Sequence, residues 1–287
     1  MIFGAHIGIS GGLARAPEEA RRIGCDAMQI FSKNQQQWSA RPLEEEVARA
    51  FRAAVREQKI RATAVHASYL INLGSPKPEL WKRSQEALVD ELQRAELLAI
   101  PSLVLHPGAH TGTGVAAGIP RVAEGARAAL EQSGTRHVRL LLETAAGQGS
   151  TLGATFEELR ELLDRIGRPD RTGICVDTCH VFAAGWDLTT PEGYGRFRDR
   201  LDATLGRTEV RLFHLNDAKS KLGSHVDRHA NIGEGEIGLA GFRRVVTDPL
   251  FADVPGVLET PLGNDPKDPY AAYEKDLRTL RSLLKPS

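Results

Sequence analysis

The chain has 287 residues, of which 41% are hydrophobic and 26% charged, a balance typical of a globular protein. No apolar stretch approaches the roughly 20 residues needed to span a bilayer, so the composition argues against a membrane-spanning protein. The 37 basic and 37 acidic residues cancel, so the chain lacks the basic excess typical of nucleic-acid-binding domains.

Eight short apolar runs predict β-strands, and longer segments with apolar residues at helical spacing predict helices between them. In chain order the predicted strands are residues 3–7, 27–31, 62–67, 102–106, 139–144, 173–177, 210–215 and 257–260. The clearest predicted helices are residues 43–58, 78–98, 115–132, 155–166 and 194–205.

The alternation of strands and helices predicts a parallel sheet, and eight such units predict that the sheet closes. We therefore expect an α/β fold, a (β/α)₈ TIM barrel whose length matches a single domain over residues 1–287. No linker, low-complexity segment or internal repeat divides the chain. In such barrels the functional residues lie at the carboxyl ends of the strands.

Six of the predicted strands end in a histidine or a carboxylate, between about 34 and 45 residues apart: His66, His106, Glu143, Asp177, His214 and Glu259. Three further candidates are His180, in VDTCH, and Asp227 and His229, in HVDRHANIGEG. Nitrogen and oxygen donors favour zinc, with manganese or iron as possible substitutes. Nine donors exceed the need of one ion, so we expect two or three, a cluster suited to phosphoester hydrolysis.

The cysteines Cys25, Cys175 and Cys179 are too few for a disulfide framework and fit a reducing compartment. Cys175 and Cys179 flank Asp177 at strand spacing, so all three are expected on one face. A thiolate zinc ligand is one interpretation of this pattern, but packing as small apolar groups is favoured. The first residues show no basic leader or cleavage site, so we expect a cytoplasmic location.

Nine runs, in order from residue 4 to 261, resemble the endonuclease IV family, also called AP endonuclease family 2. They are GAHIGISGG, FSKNQQQW, VHASYLINLGSP, LHPGAH, LLETAAGQG, CVDTCH, FHLNDAK, DRHANIGEG and VLETP. The resemblance implies a barrel whose C-terminal rim carries three zinc ions. It also implies a base excision repair enzyme that incises double-stranded DNA 5′ to an abasic site, leaving a 3′-hydroxyl and a 5′-deoxyribose phosphate. A 3′-end-cleaning activity and a monomer without an obligate protein partner are expected as well.

The resemblance also assigns roles to the nine candidate ligands. His66 and His106 match the first zinc, and Glu143 matches a carboxylate that bridges to the second. The remaining positions of the second site match Asp177, His214 and Glu259, and those of the third match His180, Asp227 and His229. Glu143 and Glu259 are the candidate catalytic carboxylates, which orient or deprotonate the attacking water.

DNA contacts are expected from three segments. Tyr69 and Leu70 match residues that penetrate the duplex, as wedge side chains do in other DNA-binding proteins. The FSKNQQQW segment supplies Lys33, Asn34, Gln36 and Trp38, but Gln36 departs from the family, which often has arginine there. The GAHIGISGG segment offers His6, Ser10 and the amides of Gly11 and Gly12 to phosphates. A tight structural turn is the alternative for this last segment.

Three other functions fit parts of the sequence. A xylose isomerase-like sugar isomerase or epimerase shares the barrel, but it needs only one or two metals and leaves five of the nine candidates unexplained. A non-catalytic protein that binds damaged DNA or stores zinc does not need a water-activating site. A Schiff-base lyase needs a desolvated lysine, for which only Lys33, Lys219 and Lys221 lie near the motifs.

Overall fold

The computed structural model describes residues 1–263, 265, 266 and 268–285. The strands there are β1 (Ile2–His6), β2 (Ala27–Phe31), β3 (Ala62–His66), β4 (Ser102–Leu105), β5 (Arg139–Glu143), β6 (Thr172–Asp177), β7 (Val210–His214), β8 (Asp217–Ala218), β9 (His229–Ala230) and β10 (Pro255–Leu258). Apart from the antiparallel pair β8 and β9, they pair in parallel in sequence order, and β10 pairs with β1 to close a barrel. The predicted barrel is confirmed, with each predicted strand within two residues of the observed one.

The helices of the described residues are α1 (Ala16–Arg22), α2 (Glu45–Glu57), α3 (Pro78–Leu97), α4 (Val115–Gln132), α5 (Phe156–Ile166), α6 (Thr178–Ala183), α7 (Pro191–Thr204), α8 (Gly238–Thr247) and α9 (Ala271–Leu283). All five predicted helices are present. The start of α7 lies before the predicted one because the Thr190 hydroxyl caps it, accepting from the Gly193 N–H at 3.1 Å. None of the described helices has the length and apolarity needed to cross a membrane.

A small apolar layer fills the barrel interior: Ala27, Ala64, Val104, Leu141, Cys175, Leu212 and Val257. Side chains alternate between the faces of a strand, so the residue two positions further along also points inward. These next positions, with His6 in the equivalent place on β1, form what we call the mouth ring: His6, Gln29, His66, His106, Glu143, Asp177, His214 and Glu259. The strand period therefore places one polar side chain from each barrel strand at the open end.

Gly4 takes the β1 place in the layer below the mouth ring. A Cβ at this position would collide with the backbone of Ala27 on β2. The close approach of β1 and β2 therefore requires glycine, and it brings His6 and Gln29, which are register partners, side by side at the mouth.

Candidate metal centre

The first donor group of the mouth ring consists of His66, His106 and Glu143, whose ligand atoms all lie within 4.8 Å of one another. The Glu143 Oε2 atom lies 3.3 Å from His66 Nε2 and 3.5 Å from His106 Nε2. Glu143 is fully buried, so its charge is stabilised by these rings and not by water.

The second group shares Glu143 with the first and adds Asp177, His214 and Glu259. The His214 Nδ1 atom lies 2.9 Å from Glu143 Oε1, 3.2 Å from Glu259 Oε2 and 3.9 Å from Asp177 Oδ2. Three carboxylates therefore surround one buried imidazole nitrogen. Such a concentration of largely buried negative charge favours a bound cation.

The third group, His180, Asp227 and His229, lies beside the mouth ring. The Asp227 carboxylate is 3.1 Å from His180 Nε2 and 3.3 Å from His229 Nε2. His229 Nε2 also lies 3.6 Å from Asp177 Oδ2, so Asp177 links the third group to the second. His180 is carried by α6, whose first turn is capped by Asp177: the Oδ1 atom accepts from the His180 N–H at 3.0 Å.

Main-chain carbonyls fix the tautomer of three of these histidines. The Nδ1 atoms of His66, His180 and His229 contact the carbonyl oxygens of Ala67 (2.7 Å), Thr144 (2.8 Å) and Glu259 (3.1 Å). Because a carbonyl only accepts, each Nδ1 carries a proton, and Nε2 is the ring nitrogen that faces the donor group. This is the arrangement that metal-binding histidines require.

The charges of the centre shift the pKa values of its members. Burial alone would lower the pKa of His180, but Asp177, Asp227 and Glu143 raise it to about 10. Burial also opposes the rise for His229, whose pKa reaches about 9 because of Asp177, Asp227 and Glu259. Conversely, burial would raise the pKa of Glu143, but the imidazoles of His106, His214 and His66 hold it well below the usual value.

The residues present fit bound metal ions. The Nε2 atoms of His180 and His229 are buried and make no aligned hydrogen bond within the described part of the chain, although Asp227 is close to both. Buried polar atoms without partners are costly, and a shared cation would satisfy both. The donor set of imidazole nitrogens and carboxylate oxygens suits zinc, manganese or iron.

The cysteines do not continue the strand pattern as we predicted. The strand β6 ends at Asp177 and α6 begins at Thr178, so the expectation that Cys175, Asp177 and Cys179 share one strand face is wrong. Cys175 packs in the apolar layer, where burial raises the pKa of its thiol to about 12. Cys179 lies near Asp177 and His229, but its thiol donates to the Arg228 carbonyl at 3.6 Å and its pKa is raised by burial.

Tyr69 and Leu70 lie on the loop that follows β3, at the barrel mouth. The Tyr69 side chain is 62% exposed, and its ring centroid is 5.5 Å from that of His66 and 6.3 Å from that of His106. Leu70 is half-buried. An exposed aromatic ring directly beside the first donor group is well placed to contact a ligand of that group.

Of the candidates after β2, Asn34 and Gln36 are exposed and Trp38 is half-buried. The Asn34 Oδ1 atom accepts from the Gln36 N–H at 2.9 Å, and the Trp38 ring stacks under the Arg83 guanidinium at 4.6 Å. The polar tip of this loop therefore faces solvent while its tryptophan is held against α3.

Lys33 requires a correction, because its side chain is only 2% exposed. Its Nζ atom lies 2.5 Å from Asp90 Oδ2 and 3.7 Å from Glu91 Oε1 on α3, and it donates to the Trp38 carbonyl at 3.3 Å. These contacts hold the Lys33 ammonium against α3, and contact of Lys33 with a DNA phosphate stays a prediction. The structure assigns Lys33 to anchoring the loop of residues 32–41.

The candidates after β1 fall into two places. His6 is a member of the mouth ring, where its Nδ1 atom lies 3.3 Å from Glu259 Oε1. Ser10 and Gly11 are exposed and line, together with Arg15, an open cavity of about 550 Å³. The Gly12 N–H donates to the Ile9 carbonyl at 2.9 Å, so this amide closes a turn and is not free to bind a phosphate.

Two members of the site were missed in the sequence. Gln29 is the β2 member of the mouth ring and follows Ala27 at strand spacing, a signal that is present in the sequence but is easily overlooked because glutamine is neutral. Asn216, in the HLND run, donates to Asp177 Oδ2 at 2.7 Å and accepts from the Glu259 N–H at 2.8 Å. It therefore orients a carboxylate of the second group.

Residues 17–283 match the family model described as a xylose isomerase-like TIM barrel. The chain is 49% identical over 282 residues to a protein of Chloroflexus aurantiacus named probable endonuclease 4, covering 98% of both chains. The crystal structure of endonuclease IV from Thermus thermophilus is 39% identical, with a TM-score of 0.87 and 99% of both chains covered.

A more distant likeness extends to sugar-converting enzymes. The crystal structure of a D-tagatose 3-epimerase-like protein aligns with a TM-score of 0.70, covering 99% of this chain and 98% of that one, at 19% identity. A likeness at this level of identity shows a shared barrel and does not carry an activity across.

Proposed function

Because the chain belongs to the endonuclease IV family of xylose isomerase-like TIM barrels and is a nuclease, we propose that it incises DNA 5′ to abasic sites in base excision repair. The proposed products are a 3′-hydroxyl and a 5′-deoxyribose phosphate, with 3′-end cleaning as a second activity of the same site. The observation that carries the proposal is the continuous donor array, in which Glu143 joins the first group to the second and Asp177 joins the second to the third.

We assign one zinc ion to each donor group, with manganese or iron able to substitute. When bound, such ions supply Lewis-acid activation of water and stabilise the charge on the attacking and leaving oxygens of a phosphodiester. The four carboxylates of the groups and three divalent cations would leave the mouth net positive, although the chain itself has no net charge. A positive mouth attracts the DNA backbone.

The protein's own contribution to the chemistry is the placement of two glutamates. Glu143, whose side chain is 1% exposed, is shared by the first and second groups: its Oε2 atom faces His66 and its Oε1 atom faces His214. The Glu259 side chain is 15% exposed, so of the two glutamates it is the one more accessible to solvent water. We assign both to orienting the attacking water or helping to deprotonate it.

Recognition of the abasic site is assigned to the exposed loops around the mouth. Tyr69, with the half-buried Leu70 behind it, is placed to enter the gap left by the missing base, as apolar wedges do elsewhere. Asn34, Gln36 and the Ser10–Gly11 turn would contact the backbone on one side of it. His6 is half-buried in the mouth ring and would reach a phosphate only from inside the mouth.

The test is incision of a duplex that carries one tetrahydrofuran abasic analogue, since this analogue has no aldehyde and resists Schiff-base lyases. Zinc-loaded protein should cut on the 5′ side of the analogue and leave the intact duplex whole. Glu143→Gln removes the carboxylate shared by the first two donor groups and should lower the rate of incision by at least about 100-fold. Absence of incision by fully metallated wild-type protein would overturn the proposal.

A further inference from the structure

Gln29 is the neutral member of the mouth ring, and it lies between three of the others. Its side chain is fully buried. The Oε1 atom lies 3.0 Å from His214 Nε2, and the Nε2 atom lies 2.6 Å from Glu259 Oε1 and 3.1 Å from His6 Nδ1. Both ends of the amide therefore contact the centre.

The chemistry of these contacts fixes the orientation of the amide. The Glu259 carboxylate only accepts hydrogen bonds, so the NH₂ end of Gln29 must face it. The carbonyl end is then left for His214, and it too only accepts. The other ring nitrogen, Nδ1, faces the Glu143 and Glu259 carboxylates of the second group. An ion held there would take the Nδ1 lone pair, so the one remaining ring proton of His214 would sit on Nε2 and donate to Gln29.

His214 differs in this respect from His66, His180 and His229. Main-chain carbonyls hold the tautomers of those three, and no side-chain substitution removes a main-chain carbonyl. His214 instead depends on a side-chain amide, and it presents Nδ1 to its group while the others present Nε2.

We propose that Gln29 is the positioning residue of the second donor group: it sets the tautomer of His214 and the orientation of Glu259, and thereby the affinity of that group for its ion. The inference rests on the proposed metal-dependent function. Outer contacts of this kind are typically worth roughly 10- to 100-fold in metal affinity.

The experiment compares wild-type protein with Gln29→Met, which keeps the length of the side chain but removes both the acceptor and the donor. Gln85→Met is the matched control, because Gln85 is also largely buried but lies on α3, away from the centre. Each protein is loaded with zinc and titrated with a chelator, and the ions retained are counted. We expect Gln29→Met to release one ion at a chelator concentration roughly 10- to 100-fold lower than the wild-type protein does. The remaining ions should be released at the same chelator concentrations as in the wild-type protein.

A second measurement does not depend on a folded variant. In zinc-loaded wild-type protein labelled with ¹⁵N-histidine, the imidazole signals should show one ligand histidine, His214, protonated on Nε2. Wild-type-like chelator resistance in Gln29→Met, or Nδ1 protonation of His214, would overturn the role of Gln29. A wild-type protein that binds no zinc would instead overturn the proposed function itself.

Discussion

The change Lys33→Met tests whether this lysine anchors the loop of residues 32–41 or contacts DNA. Lys33 is buried between Asp90 and Glu91. Removing it leaves Asp90 with Arg94, whose Nε atom lies 3.0 Å from each carboxylate oxygen. It deprives the Glu91 side chain, which is 2% exposed, of its cation.

The expected cost follows from these contacts. Breaking a buried ion pair by removing one partner costs about 3–5 kcal/mol. The lower end applies here, about 3 kcal/mol, because the ammonium lies 3.7 Å from Glu91 and because burial already raises the pKa of Glu91, so that it can take up a proton. For a chain of this size such a loss lowers the melting temperature by roughly 6–12 °C. Adding Glu91→Gln removes the stranded charge and should restore part of the stability.

Thermal unfolding and DNA binding at several salt concentrations check this prediction together. Lys82→Met is the control, since Lys82 is an exposed lysine on α3 and its loss should change stability by no more than about 0.5 kcal/mol. Lys33→Met should bind abasic duplex more weakly with an unchanged slope of log affinity against log salt. If Lys33→Met instead reduces the magnitude of this salt slope by about 0.9 and leaves the stability unchanged, the anchoring role is refuted. A slope reduced by this amount indicates the loss of one phosphate contact.

The other predictions concern the loops and the charge of the centre. Tyr69→Ala should leave the stability of the fold unchanged, because Tyr69 is 62% exposed. In a titration it should weaken the binding of abasic duplex by about 1–3 kcal/mol. Equal affinity of the variant and the wild-type protein would exclude a wedge role for Tyr69. Gln36→Arg should tighten binding of abasic duplex and steepen the salt dependence of that binding. Unaltered incision and binding would contradict the idea that the neutral Gln36 side chain lowers the affinity for abasic DNA. Metal-free protein should bind abasic duplex weakly even when folded, since three divalent ions move the net charge from zero to about +6; tight binding by folded apoprotein would contradict this. In the metal-free protein the pKa values of His180 and His229 are about 10 and 9, above the ordinary 6.5. The pairing of these two imidazolium groups with Asp227 therefore stabilises the folded state fully below about pH 6.5, and this contribution is lost as the pH rises through 9–10. Melting curves of the metal-free protein across this pH range should show the loss.

The sequence predicts the barrel well because its signals are local. Strand runs such as residues 139–144 and 102–106 are short, apolar and separated by helical segments, and the period of two places His106 and Glu143 on the inner face. The same rule points to Gln29, which is missed when only charged and imidazole side chains are followed. The nine proposed ligands do come together in three groups, although their occupancy stays a prediction.

Errors arose where a distant partner or a local cap decides the outcome. Lys33 looks like a free cation in a run that is predicted to contact DNA, but its partners Asp90 and Glu91 lie on α3, far along the chain. Asp177 ends both the predicted and the observed strand, but its carboxylate caps α6, so Cys179 lies in a helix and not on the strand face. The ion pairs of Lys33 depend on tertiary packing, and the Asp177 cap is a local contact; the periodicity of apolar residues encodes neither.

The most direct test of the proposed function is a titration of metal-free protein with zinc in which bound ions and incision of the tetrahydrofuran duplex are measured in the same samples. We predict 5′ incision that reaches its maximum as the number of bound ions approaches about three per chain, one for each donor group. Full incision in the presence of excess chelator, or with a single ion bound per chain, would contradict it.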